Sequence, residues 1–323
     1  MKALVMDRFG GPEVLELREV PAPEPRPGHT LVRMQAIGLN YADVYRRRGD
    51  YVLEGEPPWV LGYEGAGVVE AADPAGSGPA VGVPVGFADS PFANGELVSV
   101  PTDRLIELPP GISAETAAAV LLQGLTADYL VRDSYPVASG DRVVVHAAAG
   151  GVGLLLVQLA SAAGATVVGL ASTEEKRRAV ERAGAVHAVA AGPGWVDRVR
   201  DLGVLQDGAH VVYDSVGSTL AESLSVTRTG GTVVVFGKAG GPAAPIDPYD
   251  LMATSRRLVG GDLWNVLTSP QERRVRAARL LDAVATGALD VAIAGRFPLE
   301  QGAAAHELIE SRSTIGKILL VPA

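Results

Sequence analysis

The sequence contains no cysteine. That excludes disulfides and every thiolate metal site, and it agrees with a cytoplasmic protein, where disulfides are rare. Positive charge is in the minority: 28 Lys and Arg stand against 37 Asp and Glu, a formal net charge of -9. Such a balance argues against a surface for nucleic acid or for anionic membrane. No basic, apolar, small-residue leader opens the chain, so secretion is not expected. Internal repeats and low-complexity tracts are absent too. What is present is ordinary for a globular protein: 323 residues, 47% hydrophobic and 20% charged. This length suggests two domains, each able to bury a core. The 39 glycines and 22 prolines are dispersed, so they mark turns rather than disorder.

The chain is organised around residues 141–172, DRVVVHAAAGGVGLLLVQLASAAGATVVGLAS. A β-branched run, Val143-Val144-Val145, leads into His146 and a glycine turn. An apolar run, Leu154 to Ala163, is too long for a strand and free of breakers, so it reads as a helix. Gly164 closes it, and Thr166 to Leu170 reads as a second buried strand. Strand, turn, helix and strand within about 30 residues is the length of a βαβ unit. The turn fits G-x-G-x-x-G with its first position changed, Ala148-x-Gly150-x-x-Gly153. Gly150 lets backbone approach a pyrophosphate, Gly153 lets the helix sit close on the strand, and the helix N-terminus offers free N–H groups to phosphate. The stretch from Val143 to Ser172 is long enough to span a membrane. Glycines at 150, 151, 153, 164 and 169, and a pattern that changes from strand-like to helix-like, argue for a buried βαβ unit instead.

Before this unit the sequence looks β-rich and loop-rich. Strands are expected near 1–6, 14–17, 30–36 and 66–70. A short helix is expected over 40–48 with Asn40 as its cap, and a longer one from Ser113 to about Arg132. After the unit, helices are expected near 174–183, 194–202 and 218–228. Strands alternate with them near 186–190, 210–213, 232–236 and 255–260. This is the pattern of a doubly wound parallel sheet in an α/β protein. A helix over 271–286 and a strand over 316–321 follow.

A dinucleotide-binding second strand ends in an acid when it holds a ribose 2′-hydroxyl, about 20 residues past the turn. Here the strand ends Leu170-Ala171-Ser172, with no acid. Glu174 and Glu175 read instead as the first turn of the next helix, with Ser172-Thr173-Glu174-Glu175 as a capping box. A missing acid beside a hydroxyl, Ser172, and a cation, Lys176, favours a 2′-phosphate and hence NADPH.

Several motifs now line up in order: Gly38 to Gly49 (GLNYADVYRRRG), Gly62 to Val69 (GYEGAGVV), Gly124-Leu125-Thr126-Ala127, His146 to Gly153, Val212 to Gly217 (VYDSVG), Phe236-Gly237-Lys238 and Ser313 to Lys317 (STIGK). Together they resemble the zinc-independent, zeta-crystallin-like quinone oxidoreductases of the medium-chain dehydrogenase/reductase superfamily, over essentially the whole chain. The resemblance implies a GroES-like β-rich catalytic domain from 1–118 and 263–323, a Rossmann domain over 119–262, NADPH, and a homodimer paired through the sheet edge near 255–262. Zinc-dependent relatives carry a cysteine and a Gly-His-Glu motif as ligands. Asn40 and Tyr63 stand at the matching positions, and neither supplies a thiolate or imidazole. No metal is therefore expected. The resemblance further implies that Asn40, Tyr45 and Tyr51 line the substrate pocket as hydrogen-bonding groups. The cofactor is expected on Thr126, Ala149, Gly150, Gly151, Val152, Gly153, Ser172, Lys176, Ser215, Val216, Phe236, Gly237, Lys238 and Lys317. His146 is read as a strand-end residue, and the run Arg46-Arg47-Arg48 as solvent-facing charge.

The chain departs from the family at three places. Lys238 replaces a frequent Asn, Ala190-Ala191 replace a tyrosine, and Gly261 replaces an arginine. Leu263 and Trp264 are expected to shape the pocket. The implied activity is hydride transfer from NADPH to a quinone or other α,β-unsaturated carbonyl. An enoyl or alkenal reductase is the alternative, since specificity resides in loops 50–59, 88–95 and 240–268. A non-catalytic NADPH-binding protein is the alternative of another class.

Overall fold

The computed structural model describes residues 1–322 except residue 54. Glu54 of the 50–59 loop and Ala323 of the expected first domain lie outside the described residues. The chain forms two compact units, Met1–Leu125 with Leu267–Ala323, and Thr126–Val266. The boundary falls inside the helix Ala114–Tyr129.

The second unit holds a six-stranded parallel sheet. Its strands lie in the order His187–Ala190, Thr166–Ala171, Arg142–Val145, Ala209–Asp214, Thr227–Val235 and Arg257–Gly260. Numbered within the unit this is 3-2-1-4-5-6, the dinucleotide-binding order. Val143, Val144, Val145, Val167, Val168, Val211, Val212, Val233 and Val234 are wholly buried. Helices on both faces cover these strands, which is why they read as unbroken apolar runs rather than alternating ones.

The sequence reading and the structure differ in this unit at three places. The helix expected over 218–228 is Leu220–Val226, and the next strand begins already at Thr227. Thr227, Thr229, Gly230 and Gly231 are poor helix formers, and the two threonines favour extended backbone. The helix Glu174–Arg182 is capped by Thr173, whose hydroxyl accepts from the N–H of Lys176 at 3.3 Å, not by Ser172. A helix not expected, Pro248–Thr254, starts on the cap Asp247, which accepts from Tyr249 N–H at 2.9 Å, with Pro248 in its first turn.

The first unit is built from both chain ends. A mixed sheet runs Ile293–Pro298, Lys317–Val321, His29–Leu39, Gly65–Ala71, Pro84–Phe87 and Ile106–Glu107, and Leu97–Pro101 also pairs with His29–Leu39. The tail joins through antiparallel pairing of Ile318 with Leu39, Leu319 with Gly38 and Leu320 with Ile37. Ile318, Leu319 and Leu320 are buried to 1% exposure or less, so burial fixes this register. The helix Tyr41–Arg48 follows directly, closed by Gly49 in the left-handed region. A second tail helix, Gly302–Glu310, was not expected from the sequence.

Candidate active site

In the second unit the order of chain entry reverses between the first strand, Arg142–Val145, and the fourth, Ala209–Asp214. Ligands of open α/β sheets bind beyond the carboxyl ends of the strands at this switch point. The glycine turn sits there. Ala147 adopts a left-handed φ of 46°, and the helix Gly151–Ala162 then starts on Gly150. A Cβ on Gly153 would lie 2.4 Å from Ala147 O and 2.8 Å from Ala148 Cα, so only glycine lets the helix seat this closely. A Cβ on Gly150 would meet only Ala147 O, at 3.2 Å. That open backbone face, beside the N–H groups of the first helical turn, fits the pyrophosphate of a dinucleotide. Ala149 is buried in the turn, and Gly151 and Val152 are half-buried.

The second strand ends at Ala171. Ser172 is exposed, and its hydroxyl is released from the capping role the sequence reading gave it. Lys176 is 9% exposed. Burial holds its ammonium below the usual lysine range, with Glu175 pulling the other way. A dianionic phosphate would offset that desolvation, so this corner fits the 2′-phosphate of NADPH.

Two further expected cofactor segments are held together. Ala239 N–H donates to Ser215 O at 3.1 Å, and Gly240 N–H to Val216 O at 2.8 Å. A Cβ on Gly237 would lie 2.8 Å from Ser215 O. Ser215, Val216, Phe236, Gly237 and Lys238 are all half-buried, as is Thr126 on its helix. Asp214, at the fourth strand's end, anchors this loop. Its Oδ1 accepts from Val216 N–H at 2.8 Å and Gly217 N–H at 3.0 Å, and its Oδ2 from the hydroxyls of Thr219 at 2.8 Å and Ser223 at 2.7 Å. Burial raises the carboxyl's pKa, but nearby His146 and these donors outweigh it and hold it below the usual range. Ser223 Oγ also lies 2.9 Å from His146 Nε2. The serine proton goes to Asp214, so the imidazole donates from Nε2. Burial keeps His146 from protonating readily, and its ring stands edge-on to Trp195 at 4.8 Å.

In the first unit, the residues at and beside the metal-ligand positions form a buried polar cluster. Lys317 Nζ donates to Glu64 Oε2 at 2.5 Å and to Asn40 Oδ1 at 2.8 Å. Asn40 Nδ2 donates to Glu64 Oε2 at 2.9 Å and Gly38 O at 3.1 Å, and Gln123 Nε2 donates to Asn40 Oδ1 at 3.2 Å. Leu122 N–H reaches Glu64 Oε1 at 2.6 Å. Glu64, Lys317 and Asn40 are 0%, 1% and 4% exposed. Burial lowers the pKa of the Lys317 ammonium, and Glu64 opposes that. The partners also fix the amide's orientation: both neighbours of Nδ2 are acceptors and both neighbours of Oδ1 are donors.

Two expectations change here. Asn40 begins the helix through its backbone, but its amide is fully committed, so it has no N–H to spare for a substrate oxygen. Lys317, expected on the cofactor, is a buried ammonium inside the first unit, with Nζ taken up by Glu64 and Asn40. Of the arginine run, Arg48 is solvent-facing as expected, and Arg46 and Arg47 are not. Arg46 and Arg47 are 7% and 0% exposed. Arg47 binds Gly10 O at 3.1 Å, His306 Nδ1 at 2.9 Å and the carboxylate of Glu310. The Arg46 guanidinium lies 3.6 Å from the centre of the Tyr63 ring and 5.6 Å from that of Tyr51. Tyr45 stacks obliquely on Tyr51 at 5.1 Å. Tyr45 is buried at 7%, while Tyr51 is 42% exposed. The structure thus brings Tyr45 against Tyr51, and Tyr51 and Tyr63 around the Arg46 cation. Glu64 and Gln123 were missed as well. Each is a lone polar residue in an apolar stretch, which was the available signal. With a committed amide at 40 and a ring under a guanidinium at 63, these positions offer no ligand set suited to zinc. Among the described residues no group of three or more His, Cys, Asp or Glu is disposed to hold a metal ion.

Residues 26–119 match the family described as alcohol dehydrogenase GroES-like domain, and 151–283 that described as zinc-binding dehydrogenase. The chain is 38% identical to a quinone oxidoreductase of Pseudomonas aeruginosa, covering 99% of both chains. It is 36% identical to a 2-haloacrylate reductase of a Burkholderia species, covering 99% of this chain and 98% of that one. The crystal structure of Escherichia coli quinone oxidoreductase complexed with NADPH superposes with a TM-score of 0.95 at 32% identity, over 100% of both chains. With a 3-2-1-4-5-6 sheet, a β-rich unit completed by the tail, and these likenesses over the full length, the chain belongs to the zeta-crystallin-like quinone oxidoreductases of the medium-chain dehydrogenase/reductase superfamily.

Proposed function

We propose that this protein is an NADPH-dependent reductase of quinones and other α,β-unsaturated carbonyl compounds, working without zinc. The observation that carries the reading is the switch-point crevice: an open glycine backbone at a helix N-terminus, beside a second strand that ends in Ala171-Ser172 rather than an acid. Gly150, Gly151, Val152 and Gly153 hold the pyrophosphate by backbone N–H groups. Ser172 and Lys176 hold the 2′-phosphate. Ala149, Ser215, Val216, Phe236, Gly237 and Lys238 wall the crevice, and Thr126 contributes a hydroxyl. Bound NADPH supplies a hydride to the acceptor. The chain's own task is then to orient the acceptor and stabilise negative charge on its oxygen, which preorganised donors do best. Tyr51 is exposed enough to meet a ligand, and Tyr45 braces its ring. Asn40, Glu64, Gln123 and Lys317 set the start of the helix that carries Tyr45.

The acceptor class extends past quinones. The Burkholderia relative is named for a halogenated acrylate, an activated alkene. A panel of quinones, enals, enoyl thioesters and 2-haloacrylates, each scored by NADPH oxidation, decides the preference. Titration with NADPH and NADH tests the cofactor: Lys176→Ala should cost NADPH about 1.5–3 kcal/mol and leave NADH nearly untouched. Equal or tighter binding of NADH by the wild type would refute the assignment.

We further propose a cytoplasmic homodimer paired through the edge strand Arg257–Gly260 of the six-stranded sheet. Supporting this, Leu258 is 39% exposed, and Tyr249 and Met252 on the preceding helix are 72% and 69% exposed. An apolar open edge needs a cover. Leu258→Lys should shift sedimentation from dimer to monomer, and a wild type that sediments as a monomer at micromolar concentration would dismiss the pairing.

A further inference from the structure

The two walls of the switch point are joined by side chains as well as by the sheet. On one wall, His146 follows the first strand directly and leads into the left-handed Ala147 and the glycine turn. On the other, Asp214 ends the fourth strand and carries the loop 215–217. Ser223, on the helix Leu220–Val226, bridges them at 2.9 Å to His146 Nε2 and 2.7 Å to Asp214 Oδ2. His146 is 3% exposed, and Asp214 and Ser223 are fully buried. The trio gives this core directional bonds that an apolar one of the same volume would lack. Here the bonds converge on Asp214, whose Oδ1 sets Val216 and Gly217 at 2.8 and 3.0 Å. Gly217 has φ +82°, and a Cβ there would lie 2.5 Å from Gly241 O, so the loop is pressed against 238–241 as well. Phe236 N–H donates to Asp214 O at 3.0 Å, which ties in the fifth strand.

We infer that His146, Ser223 and Asp214 form a positioning relay that fixes the two walls of the dinucleotide crevice before the ligand arrives. The inference rests on the NADPH-binding function proposed above. A crevice whose walls are already set spares the ligand the cost of ordering them. The three residues touch the cofactor loops and not the reacting atoms, so they act through the glycine turn and through residues 215–217.

The test uses the full-length protein with NADPH as the probe, read by quenching of tryptophan fluorescence. His146→Phe keeps a ring against Trp195 and removes the N–H donor; His146→Gln keeps a donor at that position; Ser223→Ala removes the bridge. His146→Phe should weaken NADPH about tenfold, the worth of one buried hydrogen bond, and Ser223→Ala, which removes two, at least as much. The KM for NADPH should rise more than kcat falls, and His146→Gln should bind closer to wild type than His146→Phe. Without ligand, the amides of Val216 and Gly217 should exchange faster in Ser223→Ala. Unchanged NADPH affinity in Ser223→Ala and His146→Phe, unchanged exchange of the loop, or equal losses in His146→Gln and His146→Phe would overturn the relay. A wild type that binds no NADPH overturns the function and the inference with it.

Discussion

Lys317→Met tests the centre of the first unit. Lys317 is 1% exposed and its partner Glu64 is 0% exposed, with Nζ and Oε2 at 2.5 Å. Met matches the length of the lysine stem, so the change removes charge without opening a large gap. Glu64 is then left buried without its counter-charge, with two of its three donors, Leu122 N–H and Asn40 Nδ2. Breaking one side of a buried pair costs about 3–5 kcal/mol. The two remaining donors place the expected loss at the low end, about 3 kcal/mol. Glu64→Gln in the same background removes the stranded charge, so the double variant should lose about 1–3 kcal/mol less than the sum of the singles. A chain of two units need not unfold in one step. Hydrogen exchange should therefore be read peptide by peptide over 29–48 and 114–125, where the network is anchored. Losing Lys317 also removes a donor from Asn40 Oδ1, so the KM for the acceptor should rise while NADPH affinity stays put. A loss under about 1 kcal/mol in Lys317→Met, or strict additivity in the double variant, would refute the buried-pair reasoning.

Gly153→Ala should lower NADPH affinity and melting temperature together, because its Cβ would meet Ala147 O at 2.4 Å; fluorescence titration and a thermal scan check it. Burial, assisted by Arg47, holds His306 at a pKa of about 3. The folded first unit therefore takes up fewer protons than the unfolded chain as pH falls below about 6.5, and loses about 1.4 kcal/mol per pH unit from that residue until near its folded pKa. His306→Asn keeps an acceptor for Arg47 and should flatten this slope in exchange or denaturant measurements between pH 6.5 and 5. Tyr51→Phe should slow reduction of a poorly activated enone by about 10²–10³ in kcat and a readily reduced quinone by much less. Full turnover on both would show that the ring only packs.

The fold was legible because its strongest signals are local. The glycine turn, the two valine-rich strands and the tail strand each announce themselves within a dozen residues, and each lies within a residue or two of its expected place. What escaped the sequence in the second unit was weakly marked. The short helix Pro248–Thr254 sits in a glycine- and proline-rich stretch, where only Asp247-Pro248 marks its start. The capping box at Ser172 matched the motif, yet Thr173 won the cap. The alternative would put Thr173 inside the helix and commit Ser172 to the cap; the chain instead leaves Ser172 just past the end of the strand, where a 2′-phosphate is expected.

The site was legible as residue types and not as roles. Asn40 and Tyr63 announce an absent metal site, but no spacing rule reveals that Lys317, 277 positions from Asn40, closes onto it. Zinc-dependent relatives place a cation among their ligands. This chain places an ammonium on Glu64 and Asn40, and a guanidinium on the face of Tyr63. Lys317 is bound up with a carboxylate and serves to hold Asn40 and the helix start. Arg46 lies on the tyrosine rings, beside the exposed Tyr51, where a cation favours a hydroxyl that donates to developing negative charge. Arg46→Met should therefore lower kcat on enones, leave NADPH affinity unchanged, and act non-additively with Tyr51→Phe, because both changes weaken one donor. Independent, additive losses in the double variant would separate the arginine from the tyrosine and leave Arg46 as packing.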